Sequence, residues 1–408
     1  MLIDFFLGAN FFWRGRWKVE INMDEVKLNA TTELDPARQK RAKEYARINR
    51  RLMVVDLVIS GIYILAWLVF GWSEALKQWL VGYISNDWLL VLGYVVIIGG
   101  IMFIINLPLT FYQGYTLPHR FDLSTQSLSG WVTDQIKGLL VGGILGMIVL
   151  EIIYAVLRAY PTLWWLWAAG ILLVFNVILS NLAPILLMPL FNKFVPLDDE
   201  HAVLAQRLLV LAKRSGTFVR GVFKFDMSKR TKQANAGLTG LGNTRRIIIG
   251  DTLLNEFTSD EIETVMAHEL GHQVNKDIPL GIAFGSLTTL LGLYLASLGL
   301  TWGVKFFGFS SSADIAAFPL FVIVLGLYGL LTMPLENGFS RWRERRADEY
   351  ALQLTHNGNA YASALRRLAN QNLSDADPEA WVEWLLYSHP ALGKRIAMAE
   401  RQTELDHD

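Results

Sequence analysis

Long apolar stretches alternate along the chain with charged segments. Six of these stretches could cross a bilayer, since a helix needs about 20 apolar residues to span the hydrocarbon. They cover residues 54–72, 88–110, 139–157, 162–190, 278–304 and 315–335. Only two of them contain a charged residue: the first contains Asp56, and the third contains Glu151. The pattern predicts a mainly α-helical integral membrane protein with about six transmembrane helices.

A basic cluster before the first span predicts the orientation. Its members are Arg38, Lys40, Arg41, Lys43, Arg47, Arg50 and Arg51. Basic residues beside a span stay on the cytoplasmic side, so the N-terminal segment is expected there. Six crossings then place both large polar regions, 191–277 and 336–408, in the cytoplasm. Met1 to Phe12 is apolar but short, and it lacks the basic leader and the cleavage site of a removable signal peptide.

The first polar region predicts a small β-sheet followed by a helix. Residues 221–227 and 245–250 have strand character, with a turn expected at Gly242 and Asn243. Thr258 and Glu261 fit a capping box at the start of a helix over 259–275. We divide the chain into an N-terminal membrane region, 1–190, with four spans, and a region 191–408 with two more.

Composition narrows the chemistry. The 408 residues are 52% hydrophobic, which suits a membrane protein. The 37 basic and 37 acidic residues cancel, so no nucleic-acid partner is expected. Cysteine is absent, which excludes disulfides, thiolate metal sites and cysteine nucleophiles. A bound metal must therefore be held by His, Asp or Glu.

The predicted helix carries a zinc-binding pattern. His268 and His272 stand four residues apart, so both imidazoles lie on one helical face and can bind one zinc ion. Glu269 follows the first histidine and can take a proton from water in the open coordination position. The alternative is a chance arrangement of two solvated histidines. The capped helix directly before a membrane span favours the catalytic interpretation.

A third protein ligand is required, and spacing alone does not identify it. Asn275 and Ile278 stand where one group of zinc proteases has glycine and histidine. A second helix could instead supply Glu344, with Asp348 four residues later on the same face. The competing interpretation is an exposed helix whose acids pair with its many arginines.

Five blocks together resemble the Ste24-type CAAX prenyl protease 1 branch of the M48 metallopeptidases. They are Gln233–Gly240, Arg246–Leu254, His268–His272, Ser340–Asp348, and Tyr387–Pro390 followed by Arg395. The resemblance implies a gluzincin-type site with Glu344 as third zinc ligand and Asp348 as partner of a ligating histidine. It also places Asn235 and Ala236 at a strand edge that pairs with an extended substrate.

The resemblance implies further roles near the C-terminus. His389 would contact substrate or stabilise the oxyanion, with Arg395 supporting it. The helices would enclose a water-filled chamber, and the family has seven spans where this chain shows six. Met1 to Phe12 is too short to be the seventh.

The expected function is that of a membrane-embedded zinc endopeptidase with one Zn²⁺ ion and a cytoplasmic site. Its partners would be the lipid bilayer and a peptide or protein substrate. The substrate could be a prenylated CAAX protein or a broad range of membrane and misfolded proteins. A proteolytically inactive zinc-containing membrane scaffold is the rival interpretation, but Glu269 argues against it, because a structural zinc site needs no general base.

Overall fold

A computed structural model describes residues 33–240 and 242–407. The N-terminal half of this part is helical throughout. Its helices are α1 (Pro36–Val69), α2 (Trp72–Val81), α3 (Asp87–Phe111), α4 (Leu117–Arg120), α5 (Leu128–Ala159), α6 (Trp164–Leu182) and α7 (Met188–Phe191). Single π-turns, Tyr112–Thr116 and Ala183–Leu187, join α3 to α4 and α6 to α7. The predictions for Met1 to Phe12 lie outside the described residues.

The remainder combines a small sheet with eight more helices. Its elements are β1 (Phe194–Pro196), α8 (Ala202–Arg214), β2 (Val222–Phe225), β3 (Ala236–Thr239), β4 (Arg246–Gly250), α9 (Asp251–Glu256), α10 (Ser259–Val274), α11 (Asp277–Phe307), α12 (Phe318–Thr355), α13 (Gly358–Gln371), α14 (Ala380–Leu386) and α15 (Leu392–His407).

The six predicted spans are confirmed as long apolar helices in the described residues. They are Pro36–Val69, Asp87–Arg120, Leu128–Ala159, Trp164–Phe191, Asp277–Phe307 and Ile315–Thr355. Protein buries only 6% to 39% of the residues in their apolar windows. An aqueous protein would not leave so much contiguous apolar surface uncovered, so lipid is the solvent that suits it.

Helix α1 begins well before its apolar part. Asp35 caps it by accepting hydrogen bonds from the amides of Ala37 and Arg38, and Pro36 occupies the first helical position. The polar first turns of α1 contact the loop after α13, where the Gln39 side chain donates to the carbonyl of Ser374. The first span is thereby attached to the polar C-terminal region.

The sheet has four strands in the order β1-β2-β4-β3. The two strands predicted at 221–227 and 245–250 are present as β2 and β4, and they pair in parallel. A parallel pair cannot be closed by a tight turn, so the chain first forms β3, which pairs antiparallel with β4. The predicted turn is a 3₁₀ turn, Gly242–Thr244, and it joins β3 to β4. The outer side of β3 is the edge of the sheet.

Helix α10 lies against the sheet and carries the predicted metal ligands. Thr258 and Glu261 form both halves of the expected capping box at its start. Its buried residues Ile262, Met266 and Leu270 share one hydrophobic core with Ile247 and Ile249 of β4. On the other side α10 packs against α12, where Gly271 meets Ala347. This packing fixes α10 between the sheet edge and the last span.

Candidate metal centre

Three potential metal ligands converge where α10 meets α12. His268 Nε2 lies 3.2 Å from His272 Nε2 and 3.3 Å from Glu344 Oε2. His272 Nε2 lies 3.5 Å from Glu344 Oε1. One ligand atom from each side chain falls within 4.8 Å of the others. The structure therefore brings together the three residues that the sequence selected.

The outer nitrogen of His268 faces a buried polar cluster. Its Nδ1 lies 2.8 Å from Asp348 Oδ1. Arg395 donates to both carboxylate oxygens of Asp348, from Nε at 2.8 Å and from Nη2 at 2.6 Å. Tyr361 also donates its hydroxyl proton to Asp348, at 2.5 Å. Asp348 thus receives three donors besides the imidazole, and such a carboxylate stays ionised and fixed.

The outer nitrogen of His272 faces a different carboxylate. Its Nδ1 lies 2.7 Å from Oδ2 of Asp277, the first residue of α11. Asp277 is only 4% exposed. Each of the two histidines therefore has its own acidic partner, one on α12 and one on α11.

Glu269 lies beside the edge strand. It is partly buried, and a methyl group built on Gly237 of β3 would lie 3.9 Å from its Oε2. Burial raises the pKa of Glu269, although the neighbouring histidines oppose this effect. Asn235 is exposed immediately before β3, and Ala236 is the first, partly buried residue of that strand.

His389 lies in the loop between α14 and α15. Its side chain is 57% exposed, and its Nε2 lies 3.3 Å from Glu344 Oε1. The loop is held on both sides: Arg341 donates to the carbonyl of Tyr387 at 2.6 Å, and Glu383 accepts from the amide of Ala391 at 3.0 Å. His389 is thus placed next to a potential ligand while most of its ring stays exposed.

The three candidate ligand side chains suit a zinc ion. Glu344 Oε2 is buried and has no hydrogen-bond donor among the described residues. Leaving a buried carboxylate oxygen without a partner is costly, and a cation would supply one. Two imidazole nitrogens and one carboxylate with an open fourth position are the ligands of many catalytic zinc sites.

Sequence reasoning did not select Asp277 or Tyr361. Asp277 is an acidic residue five positions after His272, directly before an apolar span. An acidic residue there is most simply explained by its place at the start of the helix, where its negative charge interacts favourably with the helix dipole. Tyr361 is buried on α13, and nothing in its local sequence points to Asp348.

The chain matches two family descriptions over adjoining parts. Residues 23–193 match the N-terminal region of CAAX prenyl proteases, which is described as five membrane helices. Residues 198–403 match peptidase family M48, whose members are generally zinc-dependent.

Two relatives cover most of the chain. The uncharacterized metalloprotease YhfN of Bacillus subtilis is 28% identical, and the alignment covers 98% of this chain and 95% of YhfN. CAAX prenyl protease 1 of Saccharomyces cerevisiae is 33% identical, and the alignment covers 74% of this chain and 69% of the yeast protein.

A solved structure shares the architecture. The crystal structure of S. mikatae Ste24p matches with a TM-score of 0.77 and 27% identity, covering 89% of each chain. The likeness includes both the helical membrane part and the region that holds the metal centre. The chain therefore belongs to peptidase family M48, as a membrane zinc metalloprotease of the CAAX prenyl protease 1 type.

Proposed function

We propose that His268, His272 and Glu344 hold one zinc ion and that Glu269 is the general base for hydrolysis of a peptide bond. When bound, zinc supplies Lewis acidity, which polarises a carbonyl and lowers the pKa of water to about 7. Glu269 takes the proton from the attacking water and returns it to the leaving amine. Its pKa is raised by burial, which brings it closer to the operating pH of a general base.

The observation that carries this proposal is the pair formed by His268 Nε2 and Glu344 Oε2. Because the Asp348 carboxylate can only accept, Nδ1 of His268 carries a proton, and in the neutral ring that binds a metal Nε2 presents a lone pair. That lone pair faces a buried carboxylate oxygen 3.3 Å away. A zinc ion held by this nitrogen and this oxygen would satisfy both atoms. His272 Nε2 completes the set.

The edge of β3 supports binding of an extended peptide. The amide of Gly250 donates to the carbonyl of Asn235 at 2.9 Å, so Asn235 is hydrogen-bonded to β4. Backbone groups alternate along an antiparallel strand, so those of Ala236 and Leu238 point away from the sheet. A substrate that adds a strand there would pass beside Glu269.

His389 would act on the developing oxyanion. Its ring is more than half exposed and lies 3.3 Å from Glu344, so a ring N–H would be within reach of an oxyanion that develops beside Glu344. Donors aimed at developing charge are a large part of the rate enhancement of hydrolases. Arg395 would act indirectly, because it is buried and donates to Asp348.

We place the site on the cytoplasmic side of the membrane. The basic cluster at the start of α1 and the arginines that follow the apolar part of α12 lie on the same side of the spans as the metal centre. The α12 arginines are Arg341, Arg343, Arg345 and Arg346. Basic residues at span ends favour this side.

The proposed substrates are extended peptides that reach the site from the membrane surface. An edge strand recognises backbone rather than side chains, which favours a broad range of membrane and misfolded proteins. The second candidate is a prenylated CAAX C-terminus, which the printed name of the yeast relative supports.

Cleavage of reporter peptides by the detergent-purified protein tests the function. Plain and prenylated peptides are compared with wild type and Glu269→Gln at equal, measured zinc content. We expect hydrolysis by wild type, and a loss of at least ~100-fold in the variant with zinc retained. A higher rate on the prenylated peptide alone would select the CAAX substrate.

Equal activity in both proteins would refute Glu269 as the base. No hydrolysis of either peptide by zinc-loaded wild type would favour the inactive scaffold instead.

A further inference from the structure

We propose that Asp277 is a positioning residue for His272 and determines how long zinc is retained. The inference rests on the proposed zinc ligands and extends them to a residue on α11, the fifth membrane span. It assigns a metal-site role to the start of a transmembrane helix. The first observation is the 2.7 Å contact between Asp277 Oδ2 and His272 Nδ1.

The contact determines which nitrogen of His272 is available. Asp277 is 4% exposed, whereas the side chain of His272 is 26% exposed. An ionised carboxylate can only accept, so it holds the proton on Nδ1 and leaves a lone pair on Nε2. The negative charge also makes the imidazole a stronger ligand. Without Asp277, this more exposed ring could rotate or change tautomer.

The backbone before Asp277 is bent to make this contact. Lys276 separates α10 from α11 with a φ of 57°, in the left-handed region. A residue with a side chain is strained in this conformation. The turn brings the carboxylate back toward a histidine only five residues earlier. Strain of this kind persists where surrounding contacts hold it.

Those contacts come from α12, the helix that also carries Glu344. Arg343 donates to the backbone carbonyl of Asp277 at 3.4 Å. Arg346 donates to the Asn275 side chain at 3.0 Å, and its Nη1 lies 3.9 Å from Asp277 Oδ1. The two arginines therefore hold the turn on both sides of Lys276.

The arginines are themselves held by aromatic rings. The guanidinium of Arg343 lies 5.0 Å from the ring centre of Phe339, and that of Arg346 lies 4.6 Å from that of Trp342. Cation–π contacts of this length restrain a guanidinium at the membrane boundary. His272 is thus connected, through Asp277, to the packing of two membrane helices.

The test measures how fast zinc leaves the full-length protein in detergent. Zinc-loaded wild type, Asp277→Ala and Asp277→Asn are mixed with an excess of a chromogenic chelator. We expect about 10- to 100-fold faster release from Asp277→Ala, the range that such partners commonly contribute. Asp277→Asn keeps an acceptor of the same shape but no charge, so its rate should be intermediate.

The control is Asp198→Ala. Asp198 Oδ1 lies 2.6 Å from His201 Nδ1, which is a similar contact on an exposed surface. Its removal should leave the release rate unchanged. Cobalt-substituted proteins add a spectroscopic readout: the visible absorption should shift in Asp277→Ala and return toward wild type in Asp277→Asn.

Release rates and cobalt spectra equal to wild type in both Asp277 variants would overturn the inference while leaving the zinc ligands intact. Wild type that binds no zinc would overturn both this inference and the proposed function. If Asp277→Ala fails to fold, the nearly isosteric Asp277→Asn decides the question.

Discussion

Gly271 of α10 and Ala347 of α12 lie so close together that neither helix leaves room for a side chain at Gly271. A Cβ there would lie 3.0 Å from both the Cα and the backbone oxygen of Ala347. Backbone atoms of a helix cannot turn aside as a side chain does. Gly271 directly precedes the ligand His272, and Ala347 lies between Glu344 and Asp348. The contact therefore sets the separation of the metal ligands.

Replacing Gly271 by alanine should destabilise the protein and loosen the metal centre. Alanine gains about 1 kcal/mol in helix propensity, but overpacking against a rigid neighbour costs about 1–3 kcal/mol. We expect a net loss on the order of 1 kcal/mol, seen as a lower unfolding temperature in detergent, and faster zinc release. Gly285→Ala is the control, because a Cβ there meets no atom within 4 Å. Equal melting temperatures for the two variants would contradict the steric argument.

Removing the guanidinium of Arg395 should be more damaging. Arg395 is buried and binds Asp348 through two nitrogens, so Arg395→Met leaves an underpaired buried carboxylate. Breaking such a pair costs about 3–5 kcal/mol. Arg395→Lys should recover only part of this, since an ammonium cannot form the two-nitrogen contact. Thermal unfolding measures both variants.

The comparison for Arg395 is Arg401→Met, an exposed arginine on the same helix. It should unfold like wild type. If Arg395→Met does too, the Asp348 cluster contributes nothing to stability.

Substrate binding along β3 can be tested at one backbone amide. Ala236→Pro removes an N–H that points away from the sheet, so the inner ladder to β4 is kept. Loss of one hydrogen bond, about 0.5–1.5 kcal/mol, should lower kcat/KM by about 3- to 10-fold on an unstructured peptide. Zinc release should not change.

Ala236→Ser serves as the matched variant, because it keeps the amide and nearly the same size. Proline and serine variants with equal kcat/KM would argue against strand addition at this edge.

The loop that carries His389 should loosen in acid. Burial would raise the pKa of Glu383, but its bonds to Lys394 and the amide of Ala391 outweigh this and lower it. A lowered folded-state pKa means that the stabilisation is present above the unfolded-state pKa and is lost as the pH falls through the folded value. Hydrogen exchange at pH 6 and pH 3 gives the protection factor of the Ala391 amide, which is the ratio of the intrinsic to the observed exchange rate at the same pH. These two pH values lie on either side of the ordinary glutamate pKa of about 4.3.

In Glu383→Gln the same amide should exchange faster at pH 6, and its protection factor should change much less between pH 6 and pH 3. Glu349→Gln, at an exposed position on α12, is the control. Identical exchange in wild type and Glu383→Gln at pH 6 would remove Glu383 from this role.

The local sequence pattern was sufficient to predict the spans and helix α10. The six apolar stretches and the capping box at Thr258 and Glu261 depend on neighbouring residues alone, and both are present. Strand β3 was not predicted from its own pattern. Ala236 to Thr239 is short and rich in small residues, and it becomes a strand through pairing with β4.

The metal centre likewise combines residues that the local sequence pattern can pair with residues that it cannot. His268 and His272 are linked by helical periodicity, so the sequence could pair them. Glu344 lies 72 positions further along the chain, and only the resemblance to a family selected it over the neighbouring acids. Asp277 and Tyr361 reach the site through a left-handed turn and through packing between helices. No local pattern reports such contacts.

Helix α12 runs without interruption from Phe318 to Thr355. At 1.5 Å per residue, Glu344 lies about 39 Å along the axis from Phe318, while the hydrocarbon core is about 30 Å thick. The continuous helix thus fixes how far Glu344 lies from the opposite end of this span. One inserted residue would turn Glu344 about 100° away from the histidines. We therefore expect a bond to be cut only if the substrate brings it to the level of Glu344, so that its distance from the membrane is a criterion of substrate selection.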